Sequence, residues 1–340
     1  MQNATMPPRR AALSAEARKA YHRVGLGMFL FILVPQLSTV FFTLTAWLAF
    51  PAFYQSPWFL WFNQVLNLYM LGAPLALLVI GLPPAGQEST APGEKFPLRR
   101  FLLFFCCMET VAVAGSLISQ ALMSLASVIT GGEYASPVDE ALDGAPWWVL
   151  FLVVGLLGPI VEELLCREAV MRRLLPFGEK SAICFSALLF GLMHGNFYQL
   201  FYAVGLGLLL GYVYARTRKL RYPCLLHICF NSLSCLQATL LSGLDMDSIP
   251  GTDAALSEQL AWLQSNWLPY LGMLLYALLL YGAAITGFVL LLVFFRRLHF
   301  SACPLPLEKG HRASVWFGNA GMPLFFVTSF IMIGLTLLPL

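Results

Sequence analysis

Charge is what this 340-residue chain has least of. Asp, Glu, Lys and Arg make up 11% of it, whereas a soluble domain carries about 25%. Hydrophobic residues reach 59% and the mean hydropathy is +0.75, so the chain is built to dissolve in lipid rather than water. The net charge of +3 is too small to point to nucleic acid as a partner. Paired cysteines are missing as well. Cys106, Cys107, Cys166, Cys184, Cys224, Cys229, Cys235 and Cys303 show no CxxC spacing and lie mostly in apolar runs. They read as small buried hydrophobes, which argues against a zinc ribbon or a disulfide framework. No HExxH, internal repeat or low-complexity tract occurs. No small-residue cleavage site follows the first apolar run, so that run is expected to stay attached as a membrane span.

What the chain does have is long apolar runs, near residues 25–49, 58–83, 101–129, 147–172, 181–195, 197–215, 222–243, 267–295 and 317–339. A membrane helix needs about 20 such residues. The expected fold class is all-α, a multi-pass transmembrane helical bundle of about eight or nine membrane helices. The fifth and sixth runs are short and separated only by "HGNF", which suggests a hairpin that does not fully cross.

The loops divide by charge. Arg9, Arg10, Arg18, Lys19 and Arg23 precede the first run, and Lys95, Arg99 and Arg100 the third. Further basic groups are Arg172, Arg173 and Lys180, then "RTRKLR" at 216–221, then Arg296, Arg297, Lys309 and Arg312. The alternate loops, "PAFYQSP", "GGEYASPVDEALDGA" and "DMDSIPGTDAALSEQ", hold no Lys or Arg. By the positive-inside bias the N-terminus and the basic loops are cytoplasmic and the others face outward. Trp58, Trp61, Trp147, Trp148, Trp262 and Trp267 fall near the outer ends, as interfacial rings do. Gly207 and Gly211 form a GxxxG spacing that admits a close helix neighbour. "AALSAEARKAYHRV" suits a short helix on the cytoplasmic surface.

Within the spans a few ionisable groups stand out: Glu162, Glu163 and Arg167 in the fourth, His194 at the end of the fifth, His227 with Asn231 in the seventh. Such groups are costly in lipid and face a bundle interior or a wet cavity, where they usually mark function. Glu163 and Arg167, four apart, share a face and can neutralise each other, while Glu162 is turned about 100° away. Pro159 weakens the turn before it and leaves carbonyls free. At about 1.5 Å per residue, Glu162 lies about 15 Å inward from Arg172, and His227 and Asn231 about 9–15 Å inward from Arg221. His194 lies about 20 Å inward from Lys180, so one cavity can hold all four. A carboxylate beside a histidine can deprotonate water, and a second histidine with an amide can donate to an oxyanion. That inventory suits amide hydrolysis. Taken singly, the same residues also read as a structural ion pair or as polar glue between helices.

The strings "EELLCR" (162–167), "FGLMH" (190–194) and "HICFN" (227–231) match EExxxR, FxxxH and HxxxN in order on separate spans. In this the chain resembles the CPBP family of intramembrane proteases, the CAAX-protease and bacteriocin-immunity family, over roughly residues 145–245. The resemblance implies a catalytic core of four helices. It makes Glu162 the general base acting with His194 on water, Glu163 its support through Arg167, and His227 with Asn231 the oxyanion hole. The family motif is often EExxFRG; here Cys166 replaces the aromatic and Glu168 the glycine. The organisation expected is a basic cytoplasmic segment (1–24), N-terminal membrane helices (25–144), the protease-like core (145–245), and an outer loop with C-terminal membrane helices (246–340).

The resemblance further implies a glutamate-type peptidase without a cofactor. The alternative is zinc or another divalent metal on Glu162, His194 and His227 with water as fourth ligand. Expected partners are the lipid bilayer and a peptide or protein substrate, lipidated in the CaaX case; the oligomeric state stays open. A bacterial plasma (inner) membrane is the expected location. Two rival readings stand beside the peptidase: a transporter or channel using the polar cluster as an ion or proton site, and a non-catalytic scaffold or immunity protein. Of the remaining polar residues, Glu109 suits helix packing or proton carriage, Gln120 packing, and Asn196 a cap that orients His194.

Overall fold

The computed structural model describes residues 8–82, 93–132, 134, 136, 145–244, 248–251, 253–301 and 309–338. Cys303, most of the outer loop before Ala145, and the side chains of Arg9, Arg10 and Lys309 lie outside the described residues. In hydrocarbon each backbone polar group must find a partner within its own segment, so apolar runs become helices. Among the described residues no strand occurs.

In chain order the main helices are α1 (Pro8–Ala49), α2 (Trp58–Ile80), α3 (Leu98–Thr130) and α4 (Trp147–Phe177). They are followed by α5 (Glu179–Leu192), α6 (Phe197–Thr217), α7 (Arg221–Ser242), α8 (Leu256–Phe294) and α9 (Gly321–Leu335). Seven of them are long and apolar enough to cross a membrane, and the protein is a multi-pass membrane bundle. The nine apolar runs thus resolve into seven long helices plus two short ones. Helix α5 has 14 residues and reaches about 21 Å, short of the ~30 Å hydrocarbon core. Its partner in the expected hairpin, α6, has 21 residues and is long enough to cross.

Two boundaries differ from the hydropathy reading. The basic stretch before residue 25 is no separate surface helix but the first turns of α1, which runs unbroken for 42 residues. Ala17, Tyr21 and Val24 are buried there, with the Tyr21 ring 5.1 Å from that of Phe185. Helix α8 likewise starts in the expected outer loop, because "LSEQLAWLQ" carries good helix formers and nothing that stops a helix.

The outside of the bundle is apolar, as a lipid-solvated protein requires: Leu278, Ile285 and Leu292, seven apart on α8, are each about two-thirds exposed. Cys184 and Cys229 are exposed too, so they are not the buried hydrophobes expected of them. Gln120 is also exposed rather than packed, while its neighbour Ser119 is buried and donates to the Phe197 carbonyl at 2.8 Å. Trp61 sits in a small core with Val149, Leu150 and Cys235 instead of at the interface.

The basic segments gather at one end. Arg23 donates to the Val79 carbonyl (3.0 Å) and Arg173 to that of Gly81 (2.6 Å), capping the C-terminus of α2 with positive charge. Arg100, Arg216 and Arg297 border one cavity. Trp58 and Trp148, from loops without Lys or Arg, meet with ring centroids 5.7 Å apart.

The GxxxG pair finds its neighbour within the chain. A Cβ at Gly207 would lie 2.8 Å from the Ala187 Cα, and one at Gly211 3.4 Å from Ile183 Cγ2, so α6 rests directly on α5. Gly207→Val is expected to destabilise the fold by about 1–3 kcal/mol through overpacking. Thermal unfolding in detergent checks this, with Gly282→Ala as the control, since a Cβ there meets nothing within 4 Å.

Candidate active site

The site is organised by an irregular α4. The helix widens to π-helical turns over Leu150–Leu157 and again over Leu164–Met171, on either side of the α-helical stretch Gly158–Glu163. Such turns cluster at functional positions. In the first, the Gly158 N–H donates to the Val153 carbonyl, five residues back. Continuing that register, the next donor to Val154 would come from Pro159, which has no N–H. Asn231 of α7 supplies the missing bond, its Nδ2 lying 3.0 Å from the Val154 oxygen. The carbonyl left free at the proline thereby sets the register of α7 against α4. One turn before Asn231, that register delivers His227 to the two glutamates.

Glu163 and Arg167 are both fully buried. Arg167 forks onto Glu163, Nε to Oε2 at 2.8 Å and Nη2 to Oε1 at 3.3 Å. Its Nη1 donates to Ser186 Oγ at 2.6 Å, and Ser186 in turn donates to the Cys166 carbonyl at 2.9 Å. The guanidinium also lies 5.4 Å from the Phe190 ring centroid. This answers how a pair of charges survives in lipid: each is spent on the other and on hydrogen bonds. Glu163 Oε1 also lies 3.1 Å from His227 Nδ1, so the ring donates there and its Nε2 is turned the other way.

That Nε2 faces Glu162, at 3.7 Å from Oε2. Glu162 differs from its neighbour in being 17% exposed at the side chain, whereas Glu163 is sealed off. The two adjacent carboxylates therefore hold different posts, one structural and one accessible.

His194 ends α5 in the turn "MHGN". Its Nδ1 lies 2.7 Å from the Phe190 carbonyl, which can only accept, so Nδ1 carries the proton and Nε2 is left as an acceptor. Asn196 locks this turn. Its side-chain oxygen caps α6 by accepting from Gln199 N, and its Nδ2 donates to the His194 carbonyl, both at 2.9 Å. Both histidine rings stand edge-on to Phe190, with centroids at 5.2 Å for His194 and 5.6 Å for His227. The aromatic of "FGLMH" is thus a spacer touched by three members of the cluster.

All six residues singled out in the sequence fall around this point, in pairings other than those the resemblance implies. Among the described residues the ion-pair partners of the glutamates are Arg167 and His227, and His194 pairs with its own helix. Asn231 spends one amide hydrogen on α4. Glu109 is buried elsewhere on α3, with Oε1 lacking a hydrogen-bond partner among the described residues. The departures from EExxFRG also have local reasons. Cys166 is a fully buried small side chain beside Phe190, and Glu168 accepts from Tyr214 Oη at 2.9 Å, tying α4 to α6.

Tyr69 is the residue that sequence reasoning passed over. It sits on a π-helical stretch of α2, Val65–Gly72. A Cβ at Gly158 would lie 3.0 Å from the Tyr69 hydroxyl and 3.7 Å from Glu162 Oε1. The glycine therefore opens a notch between phenol and carboxylate. A tyrosine in an apolar run reads as an interface anchor; the buried Asn63 and Asn67 on the same helix were the available signal that α2 faces inward.

Among the described residues no three His, Cys, Asp or Glu side chains converge as a metal site, and this includes Glu162, His194 and His227. The donor set of this geometry does not fit the zinc alternative, and no step below passes through a metal.

Residues 144–233, which hold all three motifs, match the family model for type II CAAX prenyl endopeptidases, Rce1-like. The chain is also 22% identical over 169 residues to the candidate membrane peptidase YdiL of Bacillus subtilis (strain 168). The chain belongs to the CPBP/CAAX-protease family. That alignment covers 47% of this CPBP chain and 66% of the relative's length. No solved structure matches it. The matched family segment runs from the start of α4 into α7, so it includes every CPBP motif residue but not Tyr69.

Proposed function

We propose that the protein is an intramembrane endopeptidase that hydrolyses a peptide bond near the cytoplasmic face, with CaaX-type C-terminal processing as the substrate class. The observation that carries this reading is Glu162. It is an accessible carboxylate in an otherwise sealed network, facing a histidine whose far nitrogen is held by a buried acid–arginine pair.

In this mechanism Glu162 takes a proton from water as the water oxygen bonds to the scissile carbonyl carbon. His194 Nε2, an acceptor because Nδ1 is committed to Phe190, holds the second water proton. His227, donating through Nδ1 to Glu163, presents a protonated Nε2 to the developing oxyanion, and the second Asn231 amide hydrogen supports it. The carbon–nitrogen bond then breaks, and Glu162 returns its proton to the leaving amine. Tyr69, across the Gly158 notch, adds a further donor to the carbonyl oxygen.

The test is purified protein in detergent offered farnesylated CaaX peptides, their unprenylated counterparts and a library of membrane peptides. Release of a C-terminal fragment, identified by mass spectrometry, is expected from at least the first set. No cleavage in any set by folded protein sinks the proposal.

Tyr69→Phe is expected to lower kcat by about 10²-fold, the effect of losing one oxyanion donor, with little change in KM. Steady-state kinetics on a cleaved peptide decides it; an unchanged kcat removes Tyr69 from the mechanism and leaves Glu162 in place.

A further inference from the structure

A cavity of about 370 Å³ lies apart from the catalytic cluster, at the basic end of the bundle, between the start of α3 and the ends of α6 and α8. Its shape follows from one helix crossing. Helices α3 and α8 touch where Gly287 meets the Cys106 carbonyl and Thr110 Oγ1 donates to the Ala284 carbonyl at 2.6 Å. From there they diverge toward the basic end, and the wedge between them is left open. Its walls are apolar, made by Leu103 and Phe104 of α3, Leu209 of α6, and Leu290 and Leu291 of α8. Its rim is not. Arg100, Arg216, Arg297 and His299 border it, against a single acid, Glu94.

Two of these arginines have protein partners. Arg100 pairs with Glu94 at 2.9 Å, and Arg216 pairs with Glu179, donates to Ser301 Oγ at 3.1 Å and lies over the Tyr212 ring. These contacts hold the guanidinium groups at the rim without exhausting them, since each carries five N–H donors. Three arginines against one carboxylate leave the lining with an excess of two positive charges.

We propose that this cavity binds one anionic phospholipid of the adjacent leaflet, its phosphate at the arginine rim and an acyl chain in the wedge. An apolar hollow between membrane helices is filled by hydrocarbon, because lipid is the surrounding solvent. Basic pockets at the ends of membrane helices select anionic headgroups, at about 1 kcal/mol per Lys or Arg. A water-soluble anion suits the rim but not the walls; a zwitterionic lipid suits the walls and gains little at the rim. Nothing here depends on the peptidase reading, because no catalytic residue lines the cavity.

The experiment uses full-length protein, delipidated in neutral detergent, titrated with dioleoyl phosphatidylglycerol, dioleoyl phosphatidylcholine or inorganic phosphate. Thermal unfolding and native mass spectrometry are read in parallel. Phosphatidylglycerol is expected to raise the unfolding temperature and remain bound at a concentration about tenfold lower than phosphatidylcholine. Phosphate alone is expected to do neither. Leu291→Trp, which fills the wedge, should abolish retention of the lipid. Arg297→Gln, at the exposed rim where folding is not at stake, should erase the preference for the anionic headgroup. Equal response to both lipids overturns the proposal. So does a phosphate shift matching that of the lipid, which would make this a free-anion site, or a preference that survives Arg297→Gln.

Discussion

Glu162→Gln will lower kcat on any cleaved peptide by about 10²–10⁴-fold while leaving the unfolding temperature near that of the parent. The amide keeps the volume of the side chain and its place beside the Gly158 notch, and only the capacity to take a proton is lost. The position is part-exposed and its contact with His227 is long, at 3.7 Å, so little stability rides on the charge. Turnover and unfolding measured on one preparation separate chemistry from folding. Undiminished cleavage by the variant would remove the general base and with it the mechanism.

A comparable effect, but on stability, is expected at Arg167. Replacing it by Leu leaves Glu163 buried with His227 as its remaining charged neighbour, and stranding one partner of a buried pair costs about 3–5 kcal/mol. The double variant Glu163→Leu with Arg167→Leu should recover much of that loss, because two apolar groups of similar size need no compensation. It should stay inactive even so, since His227 then has no acceptor at Nδ1 and no fixed orientation. A double-mutant cycle on unfolding, run beside a cleavage assay, checks both halves. A double variant as unstable as Arg167→Leu alone would show that the pair is not what stabilises this layer.

The membrane class of the fold could be read from the chain because lipid leaves few choices: apolar runs must become helices, and buried charges must meet. The positions of Glu162, Glu163, Arg167, His194, His227 and Asn231 were legible for the second reason. Their pairing was not. Which histidine faces Glu162 depends on the register between α4 and α7, and that register is set by a hydrogen bond from Asn231 to the carbonyl that Pro159 leaves free. Pro159 was visible as a weak point, but a freed carbonyl does not announce its partner. Span counting erred for a different reason. Hydropathy registers composition, whereas the short α5 and the extended α1 and α8 are matters of length, decided by packing and helix propensity beyond the apolar runs. Tyr69 was hidden because its importance comes from the absence of a side chain at Gly158, and a vacancy between two helices leaves no trace along either one.

The widened turns of α4 also carry a consequence for how this helix tolerates change in length. A π-helical turn accommodates one more residue than its α-helical equivalent. Deleting a residue such as Leu152 could therefore be absorbed without breaking the rod, by tightening the coil to its ordinary pitch. Yet each residue removed swings everything beyond it by about 100° around the axis. Glu162 and Glu163 would turn away from His227 together, so this is a stretch where an indel can spare the scaffold and still extinguish the chemistry.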